Sequence, residues 1–585
     1  MSPSPTLRER ARGFRMLSTH WQKGIALATC GVVAAAIGLA DPAVAGDLGG
    51  APSSPTPKEL KRADRLLAFA RTGADWSRGE PQGYRLGPHV SLGYQTEAVV
   101  GDGPGIFTPF GSWKPYRGSF NHDEASHLLG RTVIGARFAE IDQAVQRGLP
   151  AEVDHLLEPR VLPDAPGPWA TMPHPDTEGW DQARIDSLYS VYWKLRDPLR
   201  LWWVDHMLQA DDNLTEEMTL FWHDHFATSI DKVTLPQSMY VQNQLLREYA
   251  LGNFKELIYR VAVDPAMLIW LDGQENRRGR INENFGRELL ELFTMGIGNY
   301  TQEDVREASR ALTGWVTVDG ITSEFVPERW DSGTKTFLGK TGPFDTQDII
   351  DIIFEQPATA EFLCRKLYVW FVDEYPSDAL VQSLAQTLRE NDYEVRPVLS
   401  RIFQSQQFFS RNLRGSLIAD AMDRIVGPLR ALEVQDIDLS SPENTQAQWV
   451  LFSMSELGML LMEPPNVGGW PGYRAWLDSN TLPWRKVLDT ALIDGEIDGW
   501  DLKMQSDVYA WAAQLRNPND AYLLIDDLGI QLFGMTPTPA IHDVLLSELL
   551  QGSEPWEWDL YGPESEDRLR GVLRLALRLP DYQVK

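Results

Sequence analysis

The chain has 585 residues, of which 43% are hydrophobic and 23% are charged, and this balance is typical of a globular protein. Its formal net charge of −28 argues against nucleic acid or anionic lipid as a partner, because an acidic surface repels polyanions. Only two cysteines occur, and Cys30 lies in the leader-like segment described next, so no internal disulfide is expected.

The first 45 residues have the pattern of an export signal. A basic start is followed by the apolar run "GIALATCGVVAAAIGLA", residues 24–40, and by the small residues "AVA", 43–45, which suit a cleavage site. We therefore expect residues 1–45 to be removed as a signal peptide and the protein to act in the periplasm or outside the cell. The alternative is an uncleaved anchor, since the run lies at the lower edge of a membrane-spanning length. The mature chain is expected to have no membrane span.

A flexible linker and one large domain are predicted after the leader. Residues 46–58 are rich in Gly, Pro and Ser, which is the composition of a flexible linker. Within residues 59–585, apolar residues recur at three- and four-residue spacings, which predicts a single large, mostly α-helical domain. The helical pattern covers about 181–313, 345–433, 446–461 and 500–585.

Long loops and one small hairpin interrupt this helical pattern. Residues 77–119 and 159–179 are rich in Gly and Pro without periodicity, so we expect ordered loops there. In "WVTVDGITSEFVP", residues 315–327, an Asp-Gly pair stands between β-branched runs and predicts a β-hairpin insert. "GTKTFLGKT", 333–341, resembles a phosphate-binding loop, but the spacing of its glycines is wrong for that motif, so nucleotide binding is not expected.

The densest polar segment is "NENFGRELLELFTMGIGNYTQEDVREASRALTGW", residues 282–315. Its apolar residues fall on one face of a helix, and Thr301 with Asp304 forms a capping-box pattern that opens a second helix. On the polar side, Glu288 and Glu291 are three residues apart, so both can point into one pocket and act as an acid and base pair.

The alternative for this segment is a solvated helix face. Glu283, Arg287 and Glu291 are spaced by four, so the arginine can pair with either carboxylate in water. If the segment instead lines a cleft, Arg287 joins the two glutamates as a catalytic residue, and Asn284 contacts the ligand.

"FWHDHFATS", residues 221–229, places His223 and His225 two positions apart in a chain with ten histidines. If the preceding helix ends near Trp222, an extended His-x-His can present both rings on one side, with Asp224 orienting one ring. If the helix continues, the rings point about 200° apart and cannot share a small ion.

The first alternative predicts a divalent metal site, borderline between Zn²⁺ and Mn²⁺. A site of this kind needs at least three protein ligands. His223, His225 and Asp304 are the predicted ligands, with Glu288 or Glu291 as further candidates for the third position. The carboxylate that does not bind the ion then serves as the base.

"EPPNVGGWPGYRAWL", residues 463–477, predicts a rigid turn, because its prolines restrict φ and its glycines permit positive φ. Trp470, Tyr473 and Trp476 can then form an aromatic binding platform. The alternative is that Trp470 fills the core and pins the loop.

Together these segments resemble the bacterial domain of unknown function 1800 family. The similarity covers roughly residues 120–490 and also includes "EASHLLGRTVIG" (124–135), "LLREYALGNFKELIYRVAVDPAMLIWLDGQEN" (245–276) and "ATAEFLCRKLYVWFV" (358–372). The resemblance implies an exported protein without an established reaction. It also implies a co-exported partner from a group that resembles sulfatases and alkaline phosphatases.

The sequence departs from the family pattern at two places. Family members commonly have His-Asp before the Lys-x-x-Leu-Gly segment, whereas this chain has Trp330 and Asp331. Gly286 stands where an alanine is usual. Any chemistry that depends on the missing histidine in relatives is therefore in doubt here.

The sequence predicts an exported, envelope-associated or extracellular protein with a polar cleft built from 221–229 and 282–315. If it is an enzyme, the expected activity is metal-assisted hydrolysis of a polymer or ester. The alternative is a non-enzymatic protein that binds or assembles a polysaccharide or a protein through Trp-rich surfaces. Convergence of the histidines and carboxylates in one pocket favours the enzyme, and their dispersal favours the binding protein.

Overall fold

A computed structural model describes residues 113–497, 500–502 and 504–585. These residues belong to one compact unit. The predicted signal peptide, the predicted linker and most of the first Gly/Pro-rich loop lie outside the described residues. No helix in the described part of the chain is both long and apolar enough to cross a membrane.

The fold is mostly α-helical, as the spacing of the apolar residues predicts. The first helices are α1 (His122–Thr132), α2 (Phe138–Arg147), α3 (Leu149–Leu156), α4 (Gln182–Gln209), α5 (Thr215–His225), α6 (Ile230–Val233), α7 (Pro236–Glu248), α8 (Phe254–Ala262), α9 (Pro265–Trp270), α10 (Glu283–Glu288) and α11 (Gln302–Ala311). Residues Leu289–Thr294 continue α10 as a π-helix.

The second half of the chain is also mostly helical. Its helices are α12 (Thr346–Phe354), α13 (Pro357–Phe371), α14 (Asp378–Glu390), α15 (Val395–Phe403), α16 (Ala421–Ala431), α17 (Thr445–Glu456), α18 (Thr481–Asp494), α19 (Val508–Ala513), α20 (Ala521–Phe533), α21 (Pro539–Leu550) and α22 (Ser565–Ala576). Short 3₁₀ turns occur at Pro168–Thr171, Gly273–Glu275, Pro327–Arg329, Arg411–Leu413, Tyr473–Trp476, Pro555–Glu557 and Pro580–Gln583.

The described β-structure consists of small two-stranded antiparallel ladders. They pair β1 (Trp315–Thr317) with β2 (Ser323–Phe325), β3 (Lys335–Phe337) with β4 (Lys340–Gly342), and β5 (Glu496–Ile497) with β6 (Trp500–Asp501). The first ladder is the predicted hairpin. The second is the "GTKTFLGKT" segment, whose turn residues Leu338 and Gly339 have φ of 44° and 81°, as a tight hairpin requires. A hairpin at this place agrees with the absence of a phosphate-binding motif.

Local capping chemistry explains why α11 begins where the sequence predicts. The Thr301 hydroxyl accepts the backbone N–H of Asp304 at 3.2 Å, and the Asp304 carboxylate accepts the backbone N–H of Thr301 at 2.8 Å. These two bonds satisfy donors that the first turn of a helix leaves free. The same carboxylate also accepts the N–H of Leu338 at 2.8 Å, so Asp304 ties the helix to the β3–β4 hairpin.

Helix α5 lies between two hydrophobic cores. Phe221 and Trp222 belong to a core that also contains residues of α1–α3, α8 and α12–α15, whereas Leu220 belongs to a second core with residues of α4 and α16–α18. A helix with apolar neighbours on all sides is buried all round. The "FWHDHF" segment therefore lies between the two cores, and its polar side chains contact residues of these cores.

Candidate functional site

The two histidines of α5 point into different cores. The helix continues through His225, so the second sequence alternative is the observed one and the rings diverge. His223 packs against Trp203 and Trp470, and its Nε2 accepts the backbone N–H of Met462 at 3.2 Å. The His225 Nε2–H donates to the carbonyl of Phe293 at 3.0 Å.

This geometry does not assemble the predicted metal ligands. Both imidazoles are buried, and Asp304 caps α11 instead of facing them. Within the part of the chain that the structure describes, no group of three His, Cys, Asp or Glu side chains is placed to hold a metal ion. Burial lowers the pKa of His223 to about 3 and that of His225 well below its ordinary value, so both rings are neutral at physiological pH.

The predicted carboxylate pair lies where α10 passes into the π-helix. Glu288 and Glu291 are partly exposed and repel each other, and burial together with Glu291 raises the pKa of Glu288. The Tyr300 hydroxyl donates to Glu291 at 2.8 Å. Arg287 donates to Gln302 at 3.0 Å and lies 3.4 Å from Glu283, which is the pairing expected for a partly solvated face.

Asn284, the predicted ligand contact of this segment, is bonded within the protein. Its Nδ2–H donates to the carbonyl of Leu271 at 3.2 Å. The side chain therefore ties α10 to the end of α9.

The predicted aromatic platform of residues 463–477 is not formed. Trp470 and Trp476 are buried in the second core, and the packing of Trp470 against His223 corresponds to the alternative in which Trp470 pins the loop. Tyr473 remains partly exposed, with φ of 46°, and lies beside Arg474 at the surface. The physical reason is that burying an indole in the core releases more free energy than presenting it to water.

Trp330, which stands where family members commonly have histidine, packs against a buried lysine, and Asp331 keeps the family's aspartate. The Lys335 ammonium is buried 5.1 Å from the Trp330 ring, and Asp331 makes two bonds to Arg310, at 2.9 and 3.1 Å. Gly286 also has a steric reason, because a Cβ there would lie 2.1 Å from the Ser309 hydroxyl. Asp331 is thus held by an ion pair and Gly286 by lack of space, whereas the contacts do not explain the tryptophan at position 330.

Asp224 is the residue of α5 that reaches the surface. Every other residue of the helix is buried, whereas Asp224 is partly exposed. Its Oδ1 accepts the backbone N–H of Trp470 at 2.7 Å. For Oδ2, the described residues provide no hydrogen-bond donor, and this oxygen is not among the buried unsatisfied atoms. One oxygen is therefore held by the protein and the other is available to a ligand.

Gly469 permits the close approach of the loop to Asp224. Its φ is +85°, and a Cβ at this position would lie 2.3 Å from Asp224 Oδ1 and 2.6 Å from the Asp224 carbonyl oxygen. Only glycine combines this backbone conformation with so little space. Gly469 is thus explained by the bond between Trp470 and Asp224.

Lys366 of α13 interacts electrostatically with Asp224. Burial raises the pKa of Asp224 to about 6, while the bond from Trp470 and the charge of Lys366 act in the opposite direction. Burial also lowers the pKa of Lys366, and Asp224 opposes that change. We call Asp224, Lys366 and the Gly469–Trp470 turn the Asp224 site. A partly exposed carboxyl group that titrates near neutrality is typical of acid–base catalysts.

A buried acidic cluster lies further along the same helix. The Trp370 indole donates to Glu217 at 2.9 Å, and the Lys585 ammonium lies 2.7 Å from Asp423 and 3.6 Å from Glu217. Burial raises the pKa of Glu217, and neighbouring Asp423 and Asp420 raise it further against the charge of Lys585. Asp420, which caps α16, also has a raised pKa, again chiefly because it is buried.

A cavity of about 100 Å³ is lined in part by this cluster. Its lining includes Asp423 and Lys585, and also Ser126, His127 and Gly130 of the "EASHLLGRTVIG" segment. The motifs quoted from distant parts of the sequence therefore meet around one acidic region.

Sequence reasoning assigned Asp224 only a supporting role and did not consider Lys366. The sequences of α13 and α5 each contain a charged residue among apolar ones, which could have indicated the site. Phe362, Lys366 and Trp370 are spaced by four on α13, so a lysine stands on an otherwise apolar helix stripe. On α5 the corresponding signal is an aspartate that closely follows the apolar run of Leu220, Phe221 and Trp222.

The fold and the Asp224 site define a mostly α-helical protein whose polar centre is built from acidic and lysine side chains. The family model described as a protein of unknown function (DUF1800) matches residues 127–584, and the chain belongs to this family. No curated protein and no solved structure shows significant similarity to the chain.

Proposed function

We propose that the protein is an exported hydrolase of an ester or glycosidic bond, and that Asp224 is its acid–base catalyst. The observation that carries the proposal is the exposure and the hydrogen bonding of this carboxyl group. It is the partly exposed end of a buried helix, one oxygen is fixed by the Trp470 N–H, and the other is free for a ligand among the described residues. The proposal of an exported, periplasmic or extracellular location rests on the leader of residues 1–45.

The proposed reaction uses both protonation states of Asp224. In the protonated state Asp224 gives its proton to the leaving oxygen while the bond from that oxygen to carbon breaks. The resulting carboxylate then takes a proton from a water molecule whose oxygen forms the new bond to the same carbon, which restores the acid and adds one water overall. The Lys366 charge favours the carboxylate and any negative charge that develops on the departing oxygen.

In the proposed reaction Asp224 acts as the catalyst, and no metal ion bound by the histidines of α5 is required. Each histidine of α5 uses Nε2 to bond a backbone group, and the ring lies in apolar packing, which leaves His223 and His225 as structural residues. Glu288, Glu291 and Arg287 remain a second candidate carboxylate site on the partly exposed side of α10.

The second candidate function is a non-enzymatic binding protein, and exposed aromatic residues favour it. On the first half of α4, Tyr189 and Trp193 are 41% and 65% exposed, and the Arg196 guanidinium lies 4.2 Å from the Trp193 ring. Exposed aromatic rings are typical of polysaccharide- or protein-binding surfaces. The partner from the sulfatase and alkaline phosphatase-like group stays a proposal of the same kind.

Hydrolysis by matched variants tests the leading proposal. Purified protein is assayed against a panel of chromogenic esters and glycosides as wild type, Asp224→Asn and Asp186→Asn. Asp186 is an exposed aspartate of α4, so its variant controls for the loss of one surface charge.

We expect Asp224→Asn to lower kcat roughly 10²–10⁴-fold, the usual contribution of a general acid or base, and Asp186→Asn to leave it unchanged. A wild-type protein that hydrolyses no substrate of the panel faster than Asp224→Asn contradicts the proposal. Loss of hydrolysis in Glu288→Gln but not in Asp224→Asn assigns the chemistry to α10 instead.

A further inference from the structure

Tyr473 is an aromatic residue in a strained backbone conformation at the surface. Its φ of 46° lies in the left-handed region, which disfavours any residue that has a Cβ. Core packing does not account for this strain, because Tyr473 is partly exposed whereas Trp476 of the same 3₁₀ turn is buried in the second core. Strained residues of this kind are concentrated at functional sites.

The position of Tyr473 in the chain keeps it close to Asp224. The Trp470 N–H donates to Asp224 at 2.7 Å, and Tyr473 follows Trp470 by three residues. Because consecutive Cα atoms are about 3.8 Å apart, the Cα atoms of Trp470 and Tyr473 are separated by at most about 11 Å. This distance is the span of a short oligosaccharide.

A second exposed tyrosine lies on a loop that contacts the turn of Tyr473. The Arg474 guanidinium lies 3.7 Å from a carboxylate oxygen of Glu374 and 5.4 Å from the centre of the Tyr473 ring. Tyr375 follows Glu374 in the chain and is 69% exposed, so its ring is accessible to a ligand. The ion pair therefore holds together two loops that each carry an accessible tyrosine.

The chemistry of these side chains suits a neutral sugar. A tyrosine ring offers an apolar face to the C–H groups of a sugar ring, and its hydroxyl donates to and accepts from sugar hydroxyls. The opposite charges of Arg474 and Glu374 cancel, and the net charge of −28 on the chain disfavours an anionic polymer.

We propose that Tyr473 and Tyr375 bind sugar units of a neutral polysaccharide, next to the glycosidic bond that Asp224 cleaves. This inference rests on the proposed function and names the class of its substrate. Contacts to sugar units outside the reacting bond hold that bond in place at Asp224. An ester without sugar units would make no use of the two rings.

Affinity electrophoresis with neutral polysaccharides tests the proposal. Soluble glucan, xylan and galactomannan are each cast into native gels, and the retardation of the protein at increasing polysaccharide concentration gives Kd. The variants at the proposed surface are Tyr473→Gly, Tyr473→Phe and Tyr375→Ala. The matched control is Tyr561→Ala, which removes a tyrosine that is 70% exposed and precedes α22.

We expect wild type and Tyr561→Ala to bind at least one of the three polysaccharides equally well. Tyr473→Gly and Tyr375→Ala should bind it roughly tenfold more weakly, which corresponds to about 1.4 kcal/mol of binding free energy. Tyr473→Phe keeps the ring and should keep most of the affinity. Tyr473→Gly should unfold in urea at about the wild-type concentration, because glycine adopts a positive φ without strain, so its loss of binding does not come from misfolding.

Three results overturn the proposal. The first is a wild-type protein that none of the three polysaccharides retards. The second is an affinity of Tyr473→Gly and Tyr375→Ala equal to that of wild type. The third is a loss of binding in Trp193→Ala alone, which assigns sugar binding to the exposed aromatic residues of α4.

Asp224→Asn separates this inference from the proposed function. This variant is expected to bind the polysaccharide like wild type while it loses hydrolysis. If hydrolysis survives in Asp224→Asn but Tyr473→Gly loses the polysaccharide, the catalytic assignment fails and the binding assignment stands. If Asp224→Asn loses hydrolysis and both tyrosine variants bind like wild type, the reverse holds.

Discussion

Replacing Gly469 by alanine is expected to destabilise the protein by about 2–5 kcal/mol. The added Cβ would lie 2.3 Å from Asp224 Oδ1 and 2.6 Å from the Asp224 carbonyl oxygen, well inside van der Waals contact. A side chain at φ of +85° costs about 1–2 kcal/mol, and overpacking costs about 1–3 kcal/mol more. Because the loop must retreat from α5, the bond from Trp470 to Asp224 is lost as well.

Gly468→Ala is the matched control for this substitution. A Cβ at Gly468 would lie 3.1 Å from Asn466 Oδ1, which is the end of a movable side chain, and its φ is not in the left-handed region. The free energy of unfolding is measured by urea denaturation, with an unchanged m-value as the sign that the unfolded state is the same. A Gly469→Ala variant within about 0.5 kcal/mol of Gly468→Ala would refute the steric argument.

Three further predictions concern the pH dependence of stability, the segment of Glu288 and Leu289, and the leader. Burial raises the pKa of Asp224 to about 6 from an ordinary 3.8. The protonated carboxyl group therefore stabilises the folded state fully below about pH 4, and this stabilisation is lost as the pH rises through 6. In urea titrations, wild type should lose stability relative to Asp224→Asn between about pH 4 and 7. Leu289→Ala should cost about 2–5 kcal/mol in urea unfolding because Leu289 is 1% exposed, and the partly exposed Glu288→Ala should cost less; equal losses would make Glu288 a structural residue. N-terminal sequencing of exported protein should begin at Gly46, whereas an intact Met1 would make residues 24–40 an anchor.

Helix starts and tight turns could be predicted from the sequence, because they depend on residues only a few positions apart. The capping box of Thr301 and Asp304 and the hairpin at 315–327 both occur, because each is encoded within a few positions of the chain. The mostly helical fold class was also predictable, since periodic apolar spacing reports helices that pack on a core.

The candidate site depends on contacts that no local pattern contains. The bond from Trp470 to Asp224 joins residues 246 positions apart. Helix α5 continues to His225 because it is packed between two hydrophobic cores. As a result, the rings of His223 and His225 point in different directions. The π-helix at Leu289–Thr294 also escaped prediction, because the sequence there has an ordinary helical pattern.

The pKa of the Asp224 carboxyl group decides whether this residue can act as the acid–base catalyst. Protein labelled with ¹³C at the aspartate carboxyl carbon is titrated by NMR, and the Asp224 resonance is assigned by its absence from Asp224→Asn. We expect a pKa of about 6 in wild type, and a higher value in Lys366→Met because the positive charge that stabilises the carboxylate is removed. A carboxyl group that titrates below about 4, as an ordinary solvated aspartate does, would contradict the assignment of Asp224 as the acid–base catalyst.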